Sequence, residues 1–191
     1  MNLPHFRRAR NVLALSVVCG VAVAAAASGP FDLSGKPIDP FQGKARARVF
    51  LFVRSDCPIS NQYAPEVRRI AKEFANRGVE FWVVVPDKTA TKAAIIKHMK
   101  AYGFPGQAIR DPNQVLVKRA KATISPEAAV FNAAGKEVYR GRIDNLYVNI
   151  GLERRAATTH DLEAAISAVL AGRPVKQPVT KAVGCWLADL D

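Results

Sequence analysis

The sequence predicts an α/β fold, a central mixed sheet of four or five strands with helices on both faces. Two observations carry that expectation. Short apolar segments alternate along the chain with longer ones in which apolar residues recur every three or four positions, and that alternation of strand and helix builds a layered α/β sheet. In addition, Val49-Phe50-Leu51-Phe52-Val53 is apolar without interruption, the pattern of a strand buried on both faces, which helices must cover from both sides.

Residues 1–27 read as a secretory signal, with a basic start (His5, Arg7, Arg8, Arg10), an apolar run from Val12 to Ala24 and a small-residue cleavage site at Ala25-Ala26-Ala27. Its removal predicts a periplasmic or secreted protein. The run falls short of the roughly 18 residues of a spanning helix, so an uncleaved membrane anchor is the second reading. Cys19 lies inside this leader, and Val18 before it is too large for a typical lipoprotein signal. What remains divides into a domain over residues 28–171 and a tail over 172–191 that carries Cys185. About 160 residues make one domain, able to bury a core without structural disulfides.

Gly29-Pro30 and the stretch from Pro37 to Gly43 read as turns around a short N-terminal strand or hairpin. The first buried strand runs from Ala47 to Val53. Ile59, Tyr63, Val67, Ile70 and Phe74 then form the apolar stripe of a helix reaching Arg77, which Gly78 stops. Phe81 to Val85 is a second apolar strand, ended by Pro86. Thr91 to Tyr102 shows helical spacing at Ile95, Met99 and Tyr102 and stops at Gly103, and a shorter helix from Asn113 to Lys121 follows Asp111-Pro112. Val115, Leu116 and Arg119 are placed there to interleave core and solvent. Ala128 to Phe131 and Glu137 to Gly141 form a hairpin. A last helix begins at Thr158 or Thr159 with Asp161 in its first turn, carries Leu162, Ile166, Val169 and Leu170, and ends at Gly172 and Pro174.

Cys57 stands where the first strand gives way to the first helix, and Pro58 suits a first helical turn, which needs no N–H. Unpaired N–H groups and the partial positive charge of a helix N-terminus favour an anion, here a thiolate, the reactive form of cysteine. Arg54 pushes the same way and Asp56 the opposite way.

The strand-Cys57-Pro58-helix junction, Pro65 inside the helix and Ile124-Ser125-Pro126 before the Ala128 strand together resemble the thioredoxin-like superfamily. Within it they point to the redoxin branch, which includes peroxiredoxin-type and thiol:disulfide proteins. The similarity covers roughly Phe31 to Leu170. It implies a cis bond before Pro126, with the Ser125 backbone beside Cys57, where the family receives an extended substrate peptide. Two departures stand out. The family's Cys-x-x-Cys is here Cys57-Pro58-Ile59-Ser60, so the usual resolving sulfur is an alcohol, and Arg54 takes the place of the Thr or Ser that stands three residues before a peroxidatic cysteine. By resemblance to peroxiredoxins, Arg142 is a candidate for lowering the pKa of Cys57; Ser60 either continues the helix cap with Asn61 or donates a hydrogen bond to the Cys57 thiolate.

The mature chain keeps two cysteines, Cys57 and Cys185. In an oxidising compartment disulfides form and persist, so Cys185 is the candidate resolving thiol, and a bridge requires the tail to fold back over the active edge, an approach that Gly184 eases. His98 and His160 form no metal spacing with the cysteines and read as surface side chains. No metal site and no cofactor are expected. Loss of the leader's three arginines lowers 28 basic residues to 25 against 16 acidic, a net charge of +9 instead of +12. These charges are dispersed, without the basic, aromatic-interleaved motif of a nucleic-acid binder, and read as solvated surface; weak contact with an acidic membrane surface or partner is the other reading.

The expected function is that of an exported thiol-dependent oxidoreductase. Cys57 attacks a disulfide or a hydroperoxide, and Cys185 or an external thiol reductant resolves the product; Pro58, Ser60, Ser125, Pro126 and Arg142 are supporting residues. The alternative is a binding module of the same fold, docking a partner at Ser125-Pro126 or holding Cu(I) between Cys57 and Cys185.

Overall fold

A computed structural model describes residues 29–187, and the expected leader lies outside the described residues. In chain order the elements are β1 (Ala47–Phe52), α1 (Pro58–Phe74), β2 (Val79–Val85), α2 (Lys92–Tyr102), β3 (Gln107–Arg110), α3 (Val115–Ala120), β4 (Ile124–Ser125), β5 (Glu127–Asn132), β6 (Glu137–Gly141), β7 (Tyr147–Asn149), β8 (Leu152–Glu153), α4 (Asp161–Leu170) and β9 (Cys185–Trp186).

Five strands form the central sheet in the order β3-β2-β1-β5-β6. β1 pairs parallel with β2, and β2 with β3; β1 pairs antiparallel with β5, and β5 with β6, so the sheet is mixed as expected. β1 lies at its centre, and every residue of that strand is buried. Side chains of a strand alternate between faces, which splits the apolar run in two. Val49, Leu51 and Val53 join Val67 and Ile70 of α1, Ile95 of α2, and Leu162 and Ile166 of α4. Phe50 and Phe52 join Leu116 and Val117 of α3 on the other face, with Ile38 and Phe41 packed against them. At about 1.5–3 kcal/mol for each large apolar side chain fully buried, the two layers fix β1, and hence the loop that leaves it at the site.

The helices follow their local chemistry. Thr91 caps α2 by accepting the Ala94 N–H at 3.2 Å, and Gly103 ends it in the left-handed conformation. α3 is shorter than its expected Asn113–Lys121 span, because Asp111 accepts the N–H groups of Val115, Leu116 and Val117 at 2.8, 2.9 and 3.1 Å and fixes the first turn there. Its inward face is accordingly Leu116, Val117 and Ala120, while Val115 is exposed. β3 has no counterpart in the sequence-based reading, and the expected N-terminal hairpin reduces to isolated bridges from Phe31 to Pro37 and to Arg110.

After α4 the chain runs beside the edge strand β6, with Val179 bridging Arg140 in parallel. Arg140 N–H donates to Pro178 O at 2.9 Å and Thr180 N–H to Arg140 O at 3.0 Å. β9 then pairs antiparallel with β4. β7 and β8 form a separate small hairpin. Among the described residues, no helix is long and apolar enough to cross a membrane.

Candidate active site

The loop from β1 delivers Cys57 to the N-cap position of α1, with Pro58 in the first turn, and Cys57 is 0% exposed. Its thiol donates to the backbone carbonyl of Ser125 at 3.0 Å. The peptide bond between Ser125 and Pro126 is cis. Ser60, one turn into α1, shares a buried hydrogen bond of 2.6 Å with the Ser125 hydroxyl, which also accepts the Arg54 N–H at 2.7 Å. Cys57, Ser60 and the segment before Pro126 are thus gathered at one point.

Cys185 completes this cluster. In the pairing of β4 with β9 it stands opposite Ser125, the residue whose carbonyl receives the Cys57 thiol. Both cysteines are free thiols here. The approach depends on Gly184, where an added Cβ would lie 2.0 Å from Ser125 O. Two further bonds hold the strand: Leu187 N–H donates to Thr123 O at 2.8 Å, and the Arg54 guanidinium donates to Trp186 O at 2.7 Å.

Two opposed effects act on Cys57. Burial pushes its pKa up, but the Cys185 thiol and the N–H and hydroxyl of Ser60 donate to the sulfur and leave it below the ordinary value. For Cys185 burial and the neighbouring Cys57 act together, and its pKa is pushed up to about 12. The pair therefore places the thiolate on Cys57. Arg54 and Asp56, expected to act on the sulfur in opposite senses, are paired with each other at 2.9 Å.

The contacts of Arg142 run to other residues. Its guanidinium donates to Asp161 at 2.8 Å and ties the end of β6 to the start of α4. The polar residues around it are likewise engaged in holding segments together. Tyr139 donates to Arg142 O and shares a hydrogen bond with Thr180, and Asn145 accepts from the backbone of Thr158 and Thr159. Asp144 accepts from Tyr63 of α1 at 2.6 Å.

His98 corrects the expectation of a surface side chain: it is buried, lies 5.1 Å from the Tyr102 ring and 5.4 Å from the Phe104 ring, and bonds Asn61 Oδ1 at 2.7 Å. Asn61 in turn donates to Ser55 O in the Cys57 loop. Its place three residues after Ile95 on the apolar face of α2 is the signal for this burial. His160 is exposed, as expected. Glu66, His160 and Glu163 bring carboxylate and imidazole atoms within 4.8 Å, but Arg69 already bonds both glutamates.

A cleft of about 400 Å³ opens over the cluster. Pro58 and Ile59 form one wall, Ile150 and Leu152 of the β7–β8 hairpin another, and Gly184 and Cys185 a third. Ile150, Leu152 and Trp186 are 70%, 57% and 61% exposed, so the surroundings of the cleft are apolar and open to solvent.

Comparisons with known proteins agree with this architecture. An uncharacterized conserved protein from Geobacillus kaustophilus superposes with a TM-score of 0.70 at 25% identity, covering 84% of this chain and 88% of the other. A hypothetical protein from Sinorhizobium meliloti 1021 gives 0.70 at 22%, with 82% and 87% covered. A candidate thiol:disulfide interchange protein DsbE from Chlorobium tepidum gives 0.52 at 16%, with 66% and 82% covered. No curated protein matches the chain in sequence. The redoxin family model matches residues 27–149, from ahead of β1 to the end of β7, and a match over that much of the chain makes it a member of the redoxin family with the thioredoxin-like fold.

Proposed function

We propose that this redoxin is an exported thiol-dependent oxidoreductase that acts through Cys57 on disulfides or hydroperoxides, with Cys185 or an external thiol as the resolving group. One observation supports it above the others. Cys185, at the far end of the sequence, is paired across from Ser125, whose carbonyl holds the Cys57 thiol. Two sulfurs brought to one backbone position can form and release a disulfide, which Cys57 and Ser60 cannot.

The Cys57 thiolate attacks one sulfur of a substrate disulfide and forms a mixed disulfide, and the other substrate sulfur leaves as a thiolate. With a hydroperoxide it attacks the terminal oxygen, giving a cysteine sulfenic acid and an alcohol. In either case the negative charge has left Cys57, and with it part of what holds Cys185 protonated. Cys185 then attacks Cys57, closing an internal disulfide and releasing the second substrate thiol or water. An external dithiol returns two electrons and two protons. Ser60 donates to the Cys57 thiolate, Pro58 sets the first turn of α1, and Ser125 and Pro126 present the backbone that faces both sulfurs.

Intact mass of the mature protein from an oxidising compartment, with free thiols alkylated before and after reduction, tests this directly. A Cys57–Cys185 disulfide, lost on reduction, supports the proposal, and the same mass reports cleavage after Ala27. If both thiols are free and neither peroxide nor disulfide modifies Cys57, the proposal fails and a binding module of the same fold takes its place. Cys57→Ser then keeps partner binding, and Cu(I) titration separates metal holding from docking.

A further inference from the structure

The two sulfurs of the cluster are not equally placed toward solvent. Cys57 is 0% exposed, covered by α1 and by the Ser125 backbone. Cys185 is partly exposed and forms part of the cleft wall together with Pro58, Ile59 and Gly184. A thiolate attacks a disulfide sulfur from the side opposite the leaving sulfur. Cys185 lines the cleft, whereas Cys57 belongs to the buried cluster that also holds Val53, Ala64 and Val67.

We propose that, once the Cys57–Cys185 disulfide has formed, partner thiols exchange with the protein at Cys185, and Cys57 serves as the internal leaving group. This rests on the two-cysteine reading above and reverses the order in which the sulfurs stand along the chain. A partner thiolate attacks Cys185 Sγ, so that a bond forms between partner sulfur and Cys185 while the Cys57–Cys185 bond breaks. The electron pair of the broken bond departs on Cys57. A second partner thiolate attacks the partner sulfur of the mixed disulfide, releasing a partner disulfide and Cys185, which takes up a proton. Two partner thiols are oxidised to one disulfide, and the protein disulfide is reduced to two thiols.

Leaving-group chemistry selects the same sulfur as access does. A thiol of lower pKa leaves faster. Cys57 departs into the hydrogen bonds of the Ser60 N–H and hydroxyl, which lower its pKa, whereas burial pushes that of Cys185 up.

Pulsed exchange on the oxidised wild-type chain tests the assignment. The intramolecular disulfide is first verified by intact mass; glutathione is then added in excess, the reaction is quenched at successive short times with acid and N-ethylmaleimide, and the peptides are mapped. The expected result is glutathione on Cys185 with Cys57 alkylated, exceeding the opposite arrangement by about tenfold or more at the earliest times. Glutathione on Cys57, or comparable amounts on both, overturns the assignment and leaves the two-cysteine reading intact. Absence of the disulfide at the first step overturns that reading and this inference together.

Discussion

Ser60 and Ser125 share a buried hydrogen bond of 2.6 Å between their hydroxyls, and Ser125 also receives the Cys57 thiol on its carbonyl at 3.0 Å. The alcohol that replaces a second motif cysteine is thus a bridge between α1 and the segment before Pro126, and the Ser60 N–H and hydroxyl both donate to Cys57. Ser60→Ala removes the hydroxyl and leaves the amide. The expected outcome is slower iodoacetamide modification of Cys57 at neutral pH, with the pH profile displaced upward, and a stability loss of about 1–3 kcal/mol from the buried polar group left without its partner. An unchanged alkylation profile would show that the amide alone governs the thiolate.

Gly184 tests how the tail reaches the site. A Cβ there would sit 2.0 Å from Ser125 O and 2.7 Å from its carbon, backbone atoms that cannot turn aside. Gly184→Val therefore lifts β9 from β4 and breaks the bonds from Leu187 to Thr123 and from Arg54 to Trp186. Overpacking of this kind costs about 1–3 kcal/mol. Under mild oxidant the variant leaves Cys57 and Cys185 unlinked while the wild type closes its disulfide, and intact mass separates the two.

The parts of this site set by short stretches were legible in the sequence itself, the place of Ser125 beside Cys57 came from the family resemblance, and several elements that form only by distant pairing were not legible. An unbroken apolar run, a Cys-Pro junction and a stripe at helical spacing place Cys57 between β1 and α1, because each signal acts over a few residues. β3 escaped because Gln107-Ala108-Ile109-Arg110 is short and only half apolar; it becomes a strand by pairing with β2. β4 and β9 have two residues each, and neither forms a strand without the other. The partner of Arg142 shows the same limit. An arginine after a strand says nothing about which carboxylate lies opposite, and here it is Asp161. His98 lay between lysines, and that charged company outweighed its place on the apolar face of α2.

The two thiols impress opposite pH dependences on the stability of the reduced protein. The folded pKa of Cys57 lies below its unfolded value, so its contribution is present above the unfolded pKa and lost as pH falls through the folded one. Cys185, pushed up to about 12, behaves in the opposite sense: its contribution is complete below the unfolded pKa and lost as pH rises toward 12. With unfolded thiols titrating near about 8.5, stability rises toward that pH and falls beyond it, each limb no steeper than about 1.4 kcal/mol per pH unit. Urea unfolding under reductant measures this. The expected outcome is a maximum in the difference between wild type and the Cys57→Ser, Cys185→Ser double variant; a flat difference overturns it.

His98 acts at the acid end. Burial lowers its pKa below that of a free imidazole, so between the folded value and about 6.5 the unfolded chain holds a proton that the folded one lacks. Stability is therefore complete above that window and is lost as pH falls through it. The side chain also carries a mechanical link, since its bond to Asn61 steadies the amide that donates to Ser55 O at 3.2 Å, two residues before Cys57. His98→Phe preserves the packing against Tyr102 and Phe104 and removes both the titration and the bond. The variant is expected to lose less stability than the wild type between pH 7 and 5, in urea unfolding, while amide exchange in the Ser55–Cys57 loop becomes faster at pH 7. An acid limb identical to that of the wild type would assign the titration to another group, and unchanged loop exchange would show that Asn61 holds Ser55 without His98.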